Sequence, residues 1–260
     1  MKITCIQMDM IFEKPDENFE KAECLIRKAA SEGPDVIVLP ETWNTGFYPH
    51  GDIASLADEN GERVCEMAGR LAKELKVNII AGSVTEKRGS DIYNTAHVFN
   101  REGKEIASYD KTHLFSPMGE HESYQKGDRK CMFTLDGVKC ALIICYDVRF
   151  PELTRSMTVE GVDVLFNVAQ WPKVRMEHYH TLLKARAIEN QMFTVGCNSC
   201  GSAGETVYGG GSVIFDPWGR ELICAGEHEE SISADCDMSI IKGIRESINV
   251  FRDRRPEMYI

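Results

Sequence analysis

Two hydrophobic periods alternate along the chain. Ile3 to Met8 form an apolar run of strand length, and Phe19, Ala22, Ile26 and Ala29 then recur at spacings of three and four, the stripe of an amphipathic helix. Gly33-Pro34 ends that helix, Val36-Ile37-Val38-Leu39 reads as a buried strand, and Pro40 stops the strand with Glu41 at its end. The cycle repeats with a helical face of Val64, Met67, Leu71 and Leu75, followed by a strand from Val77 to Val84. Ala96 to Phe99 and Ile106 to Tyr109 flank a turn at Arg101-Glu102-Gly103, which predicts a hairpin with Lys111 just beyond its second strand. A second hairpin, turning at Asp136-Gly137, leads into Val138 to Ile144 and delivers Cys145 at its end.

The alternation continues with a helix from about Pro151, a strand at Val164 to Ala169, a helix through about Asn190 and a strand at Met192 to Asn198. Strands around Val213 and Ile232 follow, joined through the turn Asp216-Pro217-Trp218-Gly219. Such a pattern predicts an α/β fold of mixed sheets sandwiched by helices. Neither a repeat of fixed period nor a Pro/Ser-rich linker interrupts it, so one domain over residues 1–260 is expected.

Composition narrows the possible functions. No apolar run approaches the roughly 20 residues of a membrane-spanning helix, and the first residues read as a strand rather than a secretory signal. A soluble cytoplasmic protein is the expectation. A net charge of -11, with both signs interspersed, disfavours binding to a polyanion. The 10 cysteines are scattered through strand-like runs, among them Cys5, Cys140 and Cys236, and read as reduced core residues. Cys197-Asn198-Ser199-Cys200 is a single C-x-x-C pair without a second, and it is read as structural rather than as a metal or redox site. No cofactor or metal is expected.

Three reactive side chains, Glu41, Lys111 and Cys145, each directly follow an apolar strand, where an α/β core fixes the backbone and leaves the side chain facing a crevice. Singly they read as a loop acid, a surface lysine and a buried thiol. Together they are chemically complementary: a thiol needs a base or a cation to become nucleophilic, a carboxylate can take its proton, and an ammonium can stabilise thiolate and oxyanion alike. Competing constellations are weaker. No Ser stands in a G-x-S-x-G elbow, and Gly209-Gly210-Gly211 lacks the flanks of a phosphate loop. His178 and His180, two apart on a predicted helix, point to different faces, and Arg149 with Glu152 reads as a structural pair.

Leu39-Pro40-Glu41-Thr42, Tyr109-Asp110-Lys111-Thr112-His113-Leu114-Phe115 and Cys145-Tyr146-Asp147-Val148-Arg149-Phe150-Pro151-Glu152 resemble the nitrilase superfamily of carbon-nitrogen hydrolases. Gly82-Ser83, Tyr93-Asn94-Thr95, Ala185 to Asn190 and Asp216 to Gly219 resemble its further markers in the same order, so the likeness covers nearly the whole chain. It implies a four-layer α-β-β-α sandwich, with Glu41 as base, Lys111 as oxyanion stabiliser and Cys145 as nucleophile, and at least a homodimer. Glu120 best matches the family's second glutamate, with Glu122 as the competing assignment. The segment from Asn167 to Tyr179 resembles the bacterial ω-amidase-like branch, whose substrates are monoamides of dicarboxylic acids such as 2-oxoglutaramate. Arg175 is then the candidate partner for the substrate carboxylate, in a pocket shared with Trp171 and the Tyr146 backbone N–H; Lys173 and backbone N–H groups near Trp171 are the fallback. An N-carbamoyl amidohydrolase or a nitrilase could use the same residues, and a catalytically silent binding protein could use the same fold.

Overall fold

The computed structural model describes residues 1–47 and 52–259. Its strands of three or more residues, in chain order, are β1 (Lys2–Gln7), β2 (Val36–Val38), β3 (Asn78–Arg88), β4 (Asp91–Phe99), β5 (Glu105–Asp110), β6 (Cys131–Leu135), β7 (Val138–Ile144), β8 (Val164–Ala169), β9 (Phe193–Asn198), β10 (Val213–Phe215), β11 (Glu221–Cys224) and β12 (Glu230–Asp235). The longer helices are α1 (Pro15–Ala30), α2 (Glu62–Leu75), α3 (Pro151–Thr158), α4 (Met176–Asn190) and α5 (Ile240–Ser247).

These strands form two sheets of matching design. One runs β12-β1-β2-β3-β4-β5, the other β11-β10-β9-β8-β7-β6. In each, three neighbouring strands are parallel, β1 to β3 and β7 to β9, with antiparallel strands outside them. Parallel strands need both faces covered, and their apolar sequences reflect this. The period of two sends Val36 and Val38 towards the second sheet and Ile37 towards the helices, just as Ile80 faces one way and Ile79 and Ala81 the other. Ile37, Ile79, Leu71, Ile26 and Phe19 belong to the core beneath α1 and α2. The opposing core joins the inner faces of both sheets and reaches Tyr179, Leu183 and Ala187 of α4. The result is an α-β-β-α sandwich.

Two stretches differ from the sequence expectation. β3 continues to Arg88 and β4 begins at Asp91, so these strands form a long hairpin turning at Gly89-Ser90 where the sequence pattern ended one strand at Val84 and placed the next at Ala96. Alternate residues there meet buried polar partners rather than apolar ones: the Asn44 amide Nδ2 donates to the Thr85 carbonyl, and Thr85 Oγ1 lies 2.8 Å from Thr45 Oγ1. Helix α5, not foreseen, buries Ile241 and Ile244 and is tied back when Arg245 donates to Asp163 at 2.8 Å. Cys197 and Cys200 are buried, and each thiol faces a backbone carbonyl: Cys197 that of Val38 at 3.3 Å, Cys200 that of Gln7. Burial pushes the Cys200 thiol up to about 12, as suits an inert core residue.

Phe166 lies fully buried in the core between the sheets. Phe166→Ala should therefore lower unfolding stability by about 3–5 kcal/mol, read as a shift in denaturant midpoint at constant slope.

Candidate active site

The site is assembled where the carboxyl ends of the parallel strands of both sheets meet. Glu41 follows β2 in a tight turn built on a defect in β3. The pairing of β3 with β4 slips between Ile80 and Ser83, and there the Ser83 N–H donates to the Pro40 carbonyl while Ser83 Oγ accepts from the Thr42 N–H. Gly82, at φ +64, is required: a Cβ on it would fall 2.0 Å from the Pro40 carbonyl oxygen. From the other sheet, the Gln170 N–H after β8 donates to Glu41 Oε2 at 2.8 Å, and the Gln170 amide donates to the Glu41 carbonyl at 2.7 Å. The acid is thus gripped by both sheets.

Lys111 extends the pairing of β5, its N–H donating to the Asn94 carbonyl of β4. Its ammonium is fully buried and donates to Glu41 Oε1 at 2.8 Å and to both oxygens of Glu120 at 2.9 and 3.0 Å. The Asn94 side-chain amide donates to Glu41 Oε1 at 2.8 Å and to Glu120 at 3.3 Å. Glu120 opens a short helix, Glu120–Ser123, and also accepts from the Phe115 N–H. Glu122 is exposed, so Glu120 is the glutamate that joins the cluster. Burial by itself would push the Lys111 ammonium towards neutrality, but the carboxylates of Glu120 and Glu41 outweigh it and hold its pKa well above the usual lysine value. Burial raises Glu120, with Lys111 offsetting only part of the effect.

Cys145 emerges at the end of β7 with φ +45, a left-handed conformation that a non-glycine residue adopts only under constraint. Asp147 supplies it. Its carboxylate accepts from the Ile144 N–H at 3.0 Å, the Tyr109 hydroxyl at 2.8 Å and the His113 N–H at 3.0 Å, tying the cysteine turn to the segment that carries Lys111. Arg186 of α4 donates twice to the Val148 carbonyl, at 2.8 and 3.1 Å, and so clamps the same turn from outside. Burial pushes the Cys145 thiol well above its ordinary pKa; the adjacent Glu41 carboxylate adds to this, and Lys111 opposes it.

Above Cys145 opens a pocket whose walls include Phe47, Phe115, Trp171 and Tyr208. Tyr146, Trp171 and Arg175, the three expected substrate contacts, all line it, and so does Arg149. The Arg149–Glu152 pair does not form: Glu152 is exposed, and the Arg149 guanidinium instead lies 4.9 Å over the Trp171 ring and 3.3 Å from His178 Nδ1. Arg175 caps α4 with its guanidinium 5.3 Å over the Phe115 ring. Among the described residues neither arginine is paired with a carboxylate, whereas Lys173 is taken by Glu227 at 2.6 Å and is no longer a free alternative. His178 and His180 do diverge, the latter to the Gly211 carbonyl at 2.8 Å.

A model of the carbon-nitrogen hydrolase family matches residues 2–246. The chain belongs to that family. It is 45% identical over 257 residues to the 2-oxoglutaramate amidase of Bacillus subtilis, covering 99% of this chain and 98% of that one. It is 32% identical to omega-amidase NIT2 of Xenopus tropicalis, over 94% of this chain and 91% of the relative. In structure it is similar to a CN-hydrolase superfamily protein of Xanthomonas campestris that carries an arsenic adduct in its active site, with a TM-score of 0.91, 27% identity and coverage of 98% and 97%.

The candidate site also holds residues that stand in the motif markers of the sequence without a task assigned there. Asn94, Asp147 and Arg186 stood inside the quoted segments, and what identifies their work is the set of backbone and carboxylate groups they grip. Gln170 stood inside the quoted segment from Asn167 to Tyr179, directly after β8, with no task given to it. Because the Glu41 charge raises the thiol pKa, Glu41→Gln should move the pH midpoint for iodoacetamide alkylation of Cys145 downward, measured by peptide mass spectrometry across pH. An unmoved midpoint would mean that the carboxylate and thiol are not electrostatically coupled.

Proposed function

We propose that this carbon-nitrogen hydrolase cleaves the amide of a small carboxylated monoamide, with 2-oxoglutaramate as the leading candidate, through a thioester on Cys145. The observation that carries this reading is the buried Lys111 ammonium shared by Glu41 and Glu120 beside Cys145 at the pocket floor. In this scheme Glu41 takes the thiol proton as Cys145 attacks the amide carbonyl, and Lys111 with the Tyr146 backbone N–H receives the developing oxyanion. The tetrahedral intermediate collapses when Glu41 returns the proton to the nitrogen and ammonia departs. Glu41 then deprotonates a water that attacks the thioester carbonyl; the C–S bond breaks, the carboxylic acid product leaves, and Glu41 returns the proton to the Cys145 sulfur. Glu120 and Asn94 act by positioning Lys111 and Glu41.

Support for the substrate class comes from the two pocket guanidiniums that pair with no carboxylate among the described residues and from the 2-oxoglutaramate amidase to which the chain is 45% identical. Planar guanidinium groups suit a carboxylate, and an apolar wall stacked against each one holds its orientation. The family resemblance favours a homodimer or larger homo-oligomer, and the exposed Trp218 and Ile248 beside a shallow apolar groove are compatible with such packing. A reducing cytoplasm suits a chain whose 10 cysteines are all free. No helix among the described residues is long and apolar enough to cross a membrane.

Ammonia release measured across monoamides, carbamoyl compounds and nitriles tests the reaction class, with carbon dioxide or nitrile turnover pointing to the alternatives. Cys145→Ala should abolish turnover, and wild-type protein quenched with substrate should carry an acyl mass on Cys145. Arg175→Ala should raise the Michaelis constant for 2-oxoglutaramate by roughly 10- to 100-fold, the range of a lost charge-assisted hydrogen bond, while barely changing that of an uncharged amide of similar length. Equal effects on both substrates would move the carboxylate partner to Arg149, for which the same pair of measurements decides.

A further inference from the structure

Three donor atoms of different chemistry converge on the outer face of the first sheet, at residues that do not line the catalytic pocket. Cys65 stands in the first turn of α2, His97 on β4 and Glu105 at the start of β5, and their Sγ, Nδ1 and carboxylate oxygen all lie within 4.8 Å of one another. Cys65 Sγ is 3.7 Å from His97 Nδ1, and Glu105 Oε1 is 2.8 Å from that nitrogen. We propose that Cys65, His97 and Glu105 bind a zinc ion, with water as the fourth ligand.

The second ring nitrogen of His97 strengthens the assignment. Nε2 lies 2.9 Å from Oε2 of Glu86, a buried carboxylate whose other oxygen accepts from Arg88 Nε. Metal-binding histidines characteristically give one N–H to a carboxylate, which fixes the tautomer and aims the opposite lone pair at the ion. Once the proton shared with Glu105 Oε1 is released, Nδ1 would present its lone pair between the Cys65 sulfur and the Glu105 carboxylate. The chain keeps this geometry close-packed: a Cβ at Gly61 would lie 2.9 Å from Glu86 Oε2 and 3.1 Å from the His97 ring.

Ligand spacing and charge both suit zinc. Bonds of about 2.3 Å to sulfur and about 2.0–2.1 Å to nitrogen and oxygen at tetrahedral angles place S and N about 3.6 Å apart, and N and O about 3.4 Å apart. The first separation is already present. The second needs the Glu105 carboxylate to withdraw by about 0.6 Å, which a side chain 39% exposed can do. Thiolate, carboxylate and imidazole together neutralise Zn²⁺, and binding releases the Cys65 thiol proton and the proton held between His97 Nδ1 and Glu105. A sulfur and an imidazole donor select against Mg²⁺ and Ca²⁺. The bound ion would pin α2 to β4 and β5.

The test uses tag-free, full-length protein carrying Cys145→Ala, so that the pocket thiol cannot take up metal, titrated with zinc chloride by calorimetry in a non-chelating buffer. One-to-one binding is expected. Cys65→Ser and His97→Gln should each weaken it at least tenfold, and Glu86→Gln by about 10- to 100-fold through loss of the orienting carboxylate. Cobalt(II) should give a near-ultraviolet thiolate-to-metal band that disappears in Cys65→Ser, and zinc should raise the Tm of the parent but not of that variant. Absence of one-to-one binding in the parent, or binding that survives both Cys65→Ser and His97→Gln, would overturn the site.

Discussion

One ammonium buried between two carboxylates sets the terms for the rest of the molecule. Lys111, Glu41 and Glu120 have no exposed surface, and taking three charges out of water costs several kcal/mol apiece unless each is met by partners at hydrogen-bond distance. The partners come from everywhere in the fold: Asn94 from β4, the Gln170 N–H from the opposite sheet, the Phe115 N–H from the loop between. Removing any one charge strands the others. A cluster of that kind is a poor source of stability but a strong selector of one arrangement, because a displaced sheet or slipped strand would leave a charge uncompensated.

That demand explains the odd local features. The slip in β3 is a deliberate interruption that admits the Pro40 carbonyl and turns Glu41 inward, and Gly82 is the residue that lets the two backbones touch. The positive φ of Cys145 is paid for by Asp147, whose carboxylate links the cysteine turn to Tyr109 and His113 on either side of Lys111. Thiol and ammonium are thereby registered to each other through one side chain.

Much of this was legible from the sequence. The alternation of two periods located the parallel strands, and Glu41, Lys111 and Cys145 were visible because each ends an apolar run whose direction is set by the core. Glu120 was harder to read: the local sequence offers two glutamates, and what separates them is that one turns inward at the start of a short helix and the other faces water. The extension of β3 and β4 escaped because Thr85 and Asn94 are satisfied by polar neighbours distant in sequence, which hydrophobic periodicity does not register. Arg149 was misread for a related reason. A carboxylate three residues along the chain looked like its partner, while an indole ring from beyond β8 was its real neighbour.

The grip on Glu41 has a consequence for the order of events. A carboxylate offers about four lone-pair positions. Asn94 and Lys111 occupy those of Oε1, and the Gln170 N–H takes one of Oε2. Among the described residues' contacts, a single acceptor position remains. Thiol, departing nitrogen and incoming water would then have to use it in turn, and water could not be activated until ammonia had carried the first proton away. The queue would be enforced by occupancy rather than by motion: two bond-breaking events kept in sequence by the vacancy of one lone pair.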